Sequence, residues 1–180
     1  MIDRLLRRLL WETEKLELSF TMRSLQSAVQ GDRPIYHYHI RKTAGTSINM
    51  AFISSLTSRN AYDVYENLAE TKHHYVRANN KIIVGWNRKL IEKGCYHYGF
   101  SHLPIHQVEV PENAIRFTCF RDPLKRVLSH YNMLMYYKTN KINHPCMIEE
   151  GKWIKDGMKS FVNEVPETHL LNQLFTFSSS

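Results

Sequence analysis

The stretch YHYHIRKTAGTSINMAF, residues 36–52, runs from a strand-like segment through a loop into a helix-like one. Ile35–Ile40 alternates in the manner of a strand, and Ile48, Phe52 and Leu56 recur at helical spacing. Between them Lys42–Ser47 supplies one cation, one glycine and the hydroxyls of Thr43, Thr46 and Ser47. Strand, loop and helix in that order place backbone N–H groups at a helix N-terminus, where an anion is favoured, and Gly45 lets the backbone approach it closely. The order of residues is unusual, however. A Walker loop reads G-x-x-x-x-G-K-[ST], its last hydroxyl holding Mg²⁺. Here the first glycine is missing and Lys42 precedes the remaining one, which disfavours a nucleotide kinase or NTPase.

The same grammar recurs downstream. AIRFTCF (114–120) is the strongest strand candidate, and Asp122-Pro123 supplies an N-cap followed by proline at the first helical position. Spacing puts Leu124, Val127, Leu128, Tyr131 and Leu134 on the buried side of the helix that follows. Arg121 stands at the strand end, and Arg126 and Ser129 lie at i, i+3 on one helix face. KIIVGW (81–86) and CYHYGF (95–100) are further strand candidates, and the chain from Ser160 looks helical, interrupted near Pro166. Strands alternating with helices predict an α/β layer fold, a mainly parallel sheet flanked by helices. Ligands of such sheets bind beyond the carboxyl ends of the strands. Two anion sites on neighbouring strand ends describe a nucleotide that carries phosphates in two places.

The bulk composition is consistent with one domain. The chain has 180 residues, 43% of them hydrophobic, enough for a sizeable core. Residues 1–30 are expected to form an amphipathic helix packed on a domain of residues 31–180, with Leu5, Leu6, Leu9 and Leu10 at helical spacing. Glu12, Glu14 and Glu17 would oppose an anionic membrane surface. The net charge of +7 is concentrated in residues 72–93 and 113–146, each with six Lys/Arg against one acid. Such blocks suit an anionic partner: a nucleotide, an acidic or sulfated glycan, or nucleic acid. The aromatic residues among them sit at core periodicity, which disfavours nucleic acid. Three unpaired cysteines fit a reducing compartment. No apolar run is long enough for a transmembrane segment and no cleavable signal opens the chain, so the expected location is cytoplasmic. Cys95, His97, His102 and His106 match no common closed zinc spacing, and no metal is expected.

At these residues the chain resembles a known family. HIRKTAGTS (39–47) is similar to the 5′-phosphosulfate loop of the PAPS-dependent sulfotransferases, where PAPS is 3′-phosphoadenosine 5′-phosphosulfate. The likeness is to the carbohydrate branch, of the heparan sulfate 2-O/6-O type. FTCFRDPLKRVLSHY (117–131) looks like that branch's 3′-phosphate motif, R-D-P-x-x-R-x-x-S-x-Y. YGFSHLP (98–104), between them, resembles the segment that supplies the family's base, and HLLNQLFTF (169–177) its Asn-Gln helix. The resemblance implies a P-loop-like three-layer fold and in-line sulfuryl transfer from PAPS to an acceptor hydroxyl, that of an acidic or neutral glycan or another alcohol.

Carried over to this chain, it implies that Thr43, Ala44, Gly45, Thr46 and Ser47 hold the 5′-phosphate through backbone N–H groups, with the Thr46 and Ser47 hydroxyls. Lys42 would assist departure of the leaving oxygen, Arg121 and Ser129 would bind the 3′-phosphate, and His102 would take the acceptor's proton. Arg126 would be a supporting ion-pair residue. His97 is the rival base, and His37 and His39 are read as packing beneath the loop. Arg41 replaces a common proline and Ala44 a common glycine, so a positive φ at position 44 would strain the loop. Family members continue beyond the equivalent of Gln173, so the chain is expected to be a shortened domain or part of one. The alternative is a non-catalytic nucleotide- or polyanion-binding module of the same fold. Acceptor specificity is expected in loops around Asn60–Asn80 and Tyr136–Trp153.

Overall fold

The computed structural model describes residues 2–170. Five strands form one sheet: β1 (Ile35–Tyr38), β2 (Tyr75–Ala78), β3 (Lys81–Gly85), β4 (Tyr98–Ser101) and β5 (Ile115–Thr118). Their order is β2-β3-β4-β1-β5. β1 runs parallel to both β4 and β5, and β3 parallel to β4; β2 alone is antiparallel. Register aligns Tyr38 with Ser101 on one side and with Thr118 on the other. Three adjacent strands therefore end together, and the chain leaves all three at the same edge.

β2 is absent from the sequence expectation, which placed a loop there. It pairs with β3 through a two-residue turn, Asn79-Asn80, both left-handed at φ 50° and 60°. Asparagine tolerates that conformation, and paired left-handed residues match the twist of a tight hairpin.

Helices cover both faces of the sheet. On one side α1 (Ile2–Ala28) packs through Leu18, Met22 and Leu25, with Val29 just beyond it, against Tyr36, Tyr38, Ile82 and Val84. α4 (Arg88–Glu92) adds Leu90 and Ile91 to the same cluster. On the other side α2 (Gly45–Leu56) and α3 (Ala61–Glu70) bring Ile53, Val64 and Leu68 onto Ile83, Tyr98 and Phe100. Period-two alternation accounts for this division: Ile82 and Val84 face one layer and Ile83 the other. The result is the three-layer α/β fold expected of the sequence. A third cluster, Leu134, Trp153, Ile154, Phe161 and Val165, joins α5 (Pro123–Thr139) to α7 (Met158–Glu164). α6 (Cys146–Glu150) and α8 (Glu167–Leu170) complete that end.

Several expected faces are corrected. α1 is anchored by its second half, while Leu6 and Leu10 are exposed. On α5, Leu124 and Leu128 face outward, and the buried stripe is Arg126, His130 and Leu134. On α2 the most buried line is Gly45, Asn49 and Ile53, one position from the expected face. The expected loop at 60–80 is largely α3 and β2, and that at 136–153 includes the end of α5 and all of α6. The Asn-Gln segment at 172–173 lies outside the described residues. Among the described residues no helix is long and apolar enough to cross a membrane.

Candidate active site

A cleft of about 370 Å³ opens at the carboxyl ends of β1, β4 and β5. Each strand contributes the residues that follow it. After β1 come Lys42 and the loop to Ser47; after β4, His102; after β5, Arg121, with Ser129 two turns along α5. Lys42, Ala44, Gly45, Thr46, Ser47, His102, Arg121 and Ser129 all line this one cleft. Among the described residues no aspartate or glutamate lines it.

The loop is a concave backbone turn. Lys42 (φ 69°) and Ala44 (φ 67°, ψ 16°) are both left-handed, flanking Thr43, and α2 begins at Gly45. Successive N–H groups in such a turn converge on an anion, and the N-terminus of α2 adds its partial positive charge. Thr43 is buried and its hydroxyl donates to the Ile40 carbonyl at 2.8 Å. Its side chain therefore holds the loop together and only its backbone is left for a ligand. Gly45 is required by space: a Cβ there would lie 1.8 Å from the His39 ring. The Tyr65 hydroxyl, from α3, contacts the Thr46 and Asn49 side chains and braces the loop from the far side.

Cations are distributed unequally. Arg41 is bound to Glu150 through both guanidinium nitrogens, at 2.6 and 3.2 Å, and Glu150 also accepts from His130 Nε2 at 2.7 Å. Burial works against ionising Glu150, but its bonds to His130 and Arg41 prevail and hold its pKa down to about 2. Arg41 is thus largely neutralised and ties the loop to the end of α6. Among the described residues Lys42 has no such partner; burial, then Arg41 and Arg121, lower its pKa. Arg121 crosses to donate to the Lys42 carbonyl at 3.3 Å, joining the segments that follow β1 and β5. Arg126 is buried, does not line the cleft, and donates to the His169 carbonyl at 2.6 Å. It does not share a ligand face with Ser129, as i, i+3 spacing suggested.

His102 donates its Nδ1 hydrogen to the His39 carbonyl at 2.7 Å. That bond fixes the tautomer and leaves Nε2 as the nitrogen with a free lone pair. Desolvation lowers its pKa most, the bond to His39 opposes this, and Arg41 and His37 lower it further. The ring is therefore neutral near pH 7. His97 lies just before β4, at the opposite end of the sheet from the cleft. Its Nδ1 accepts from the Ile82 N–H at 2.9 Å and its Nε2 meets Asp32 at 2.8 Å. It has no access to the site. Among the described residues no group of three or more His, Cys, Asp or Glu is placed to hold a metal.

The cleft includes residues that sequence reasoning missed: Tyr65, Met133, Tyr137 and His144. Met133 and Tyr137 follow Ser129 at i+4 and i+8, a spacing that could have extended the site along α5. Tyr65 belongs to a segment read as loop, and His144 stacks on Tyr137 at 4.8 Å across the end of α5. Nothing local signals either.

The sulfotransferase family model matches residues 26–170, which contain every cleft residue. No curated protein and no solved structure matches the chain.

Proposed function

Because the chain belongs to the sulfotransferase family, we propose that it transfers a sulfuryl group from PAPS to a hydroxyl of a carbohydrate acceptor, in line and without a metal. The observation that carries this reading is the convergence of two anion-binding segments, 42–47 and 121–129, on one cleft that also holds a neutral histidine. The residues present fit the donor. The backbone turn and α2 N-terminus suit its 5′ end, Arg121 and Ser129 its 3′-phosphate, and no carboxylate lines the walls to repel it. Bound there, PAPS supplies the activated sulfuryl group.

The chain's own groups do the rest. The N–H groups of Thr43–Ser47 orient the 5′-phosphate, together with the Thr46 and Ser47 hydroxyls. Lys42, which has no carboxylate partner among the described residues, stabilises charge growing on the leaving oxygen. Positioning and charge stabilisation are what a group transfer between oxygens chiefly requires. His102 Nε2 takes the acceptor's proton as the oxygen attacks, a contribution of roughly 10²–10⁴-fold. His39 and its carbonyl hold that ring in the required tautomer. Cys95, Cys119 and Cys146 are free thiols, which fits a reducing, cytoplasmic setting.

The test is calorimetric titration with 3′-phosphoadenosine 5′-phosphate (PAP), with 5′-AMP and Mg-ATP as controls, repeated on Arg121→Ala. Binding that needs the 3′-phosphate and weakens at least tenfold in the variant is expected. Equal affinity for PAP and 5′-AMP would overturn the reading. His102→Ala should keep PAP binding and lose turnover; a binding module would show no turnover to lose.

A further inference from the structure

His39 lines the cleft, yet the family motif gives it no role beyond packing. It follows His37 on β1, with the two rings stacked at 5.4 Å, and its own ring lies 4.4 Å from that of His102. The residue is only 6% exposed, and Nδ1 is buried with no hydrogen-bond partner among the described residues. Nε2 lies on the other side of the ring, against Gly45, where an added Cβ would come within 2.0 Å of it. Gly45 is the first residue of α2, so Nε2 lies beside the N-terminus of that helix, and His39 and Gly45 both line the cleft.

A neutral imidazole has one hydrogen to place. Nδ1 has no acceptor in reach, and either tautomer leaves it unpaired. Only the Nε2–H tautomer gives the ring a bond to make, and that bond must be with something in the cleft. The ring does not gain a second proton: burial above all, then His102, His37, Arg41 and Lys42, holds its pKa down to about 2. A neutral donor also adds no charge to a wall where Arg41 and Arg121 already bear on Lys42. Neutral histidines at helix N-termini serve other enzymes as hydrogen-bond donors in the same way.

We propose that His39 is a ligand-binding residue that donates its Nε2 hydrogen to the 5′-phosphate of the bound nucleotide. It adds a neutral side-chain N–H to the backbone donors of the loop, and it remains neutral throughout. The inference rests on the cleft being the nucleotide site, and it extends that reading to a residue the motif leaves to packing. His39 also sets the spacing between that phosphate and the base, since its ring fills the space over Gly45 and its carbonyl holds His102.

The experiment titrates PAP, 5′-AMP and adenosine 3′-monophosphate into the wild type, His39→Phe and His39→Gln. Phenylalanine keeps a planar ring in the stack without a donor, while glutamine places an N–H near the position of Nε2. We expect His39→Phe to lose tenfold or more in affinity for PAP and 5′-AMP, the scale of a bond to a charged group. Adenosine 3′-monophosphate should bind it within twofold of the wild type, and His39→Gln should recover most of the loss. In ¹⁵N spectra the His39 ring should show the Nε2–H tautomer from pH 5 to 8, with the Nε2 resonance moving on addition of PAP. Unchanged PAP affinity in His39→Phe, or an Nδ1–H tautomer, would overturn the inference while leaving the nucleotide site intact. A loss shared equally by adenosine 3′-monophosphate and not rescued by glutamine would reduce the ring to packing and overturn it too. A wild type that binds PAP no better than 5′-AMP would overturn the sulfotransferase reading itself.

Discussion

Ala44 shows how one residue type can signal both a role and a cost. Its φ of 67° is the left-handed conformation that glycine adopts freely and alanine does not. Ala44→Gly is expected to raise stability by about 0.5–1 kcal/mol, the relieved strain exceeding glycine's extra freedom when unfolded. Urea denaturation would measure it, and unchanged or lower stability would refute a strained loop. At Gly45 the sign reverses, because a side chain there collides with the His39 ring. His102 should appear in the pH profile. Its folded pKa lies below the ordinary 6.5 and only the neutral ring accepts a proton. kcat/KM should therefore be level near neutrality and fall with acid through an inflection below 6.5, as a pH–rate series would show. Lys42, Gly45, His102, Arg121 and Ser129 could all be picked out in the sequence, because each belongs to a short local motif. The roles of Arg41 and Thr43 could not, since their partners, Glu150 and the Ile40 carbonyl, are chosen by the fold.

Among helices and strands, burial was misjudged wherever a polar network displaced leucine. α5 turns Arg126 and His130 inward because Glu150 and the His169 carbonyl await them, and Leu124 and Leu128 are left outside. A buried carboxylate that loses its charge strands both partners. Glu150→Gln should destabilise the protein by about 3 kcal/mol and loosen the loop through Arg41, visible as a lower melting temperature with weaker PAP binding. The pH dependence follows from the depressed pKa. A carboxyl at about 2 when folded, against an ordinary 4.5, contributes stability that is complete above 4.5. That contribution drains away as pH falls from 4.5 towards 2, and Glu150→Gln should lack this part of the acid transition. The β2–β3 hairpin escaped notice for a different reason. Its turn is Asn-Asn rather than the usual Asn-Gly, and its strand is too short to show alternation.

For the protein as one body, donor binding and folding should be linked, since the cleft is assembled from the ends of three strands that are far apart in the chain. PAP at a hundredfold excess over its Kd is expected to add about 2.7 kcal/mol. For a domain of this size that is about 5–10 °C in melting temperature. Scanning calorimetry with PAP and with 5′-AMP would check it, and identical shifts would argue against a 3′-phosphate site. The α/β class, the mainly parallel sheet and the two loop segments that line the cleft were readable from the amino acids, because strand–loop–helix units carry their periodicity, caps and loop residues within some twenty positions. Which strand lies beside which was not readable. Nor was the separation of His97 from His102, which one short strand delivers to opposite ends of the sheet. The Arg41–Glu150–His130 network was equally hidden, since it joins residues 109 and 20 positions apart with no shared motif. Local chemistry is written in neighbouring residues, whereas pairing order and burial are set by how the layers satisfy one another's polar and apolar surfaces.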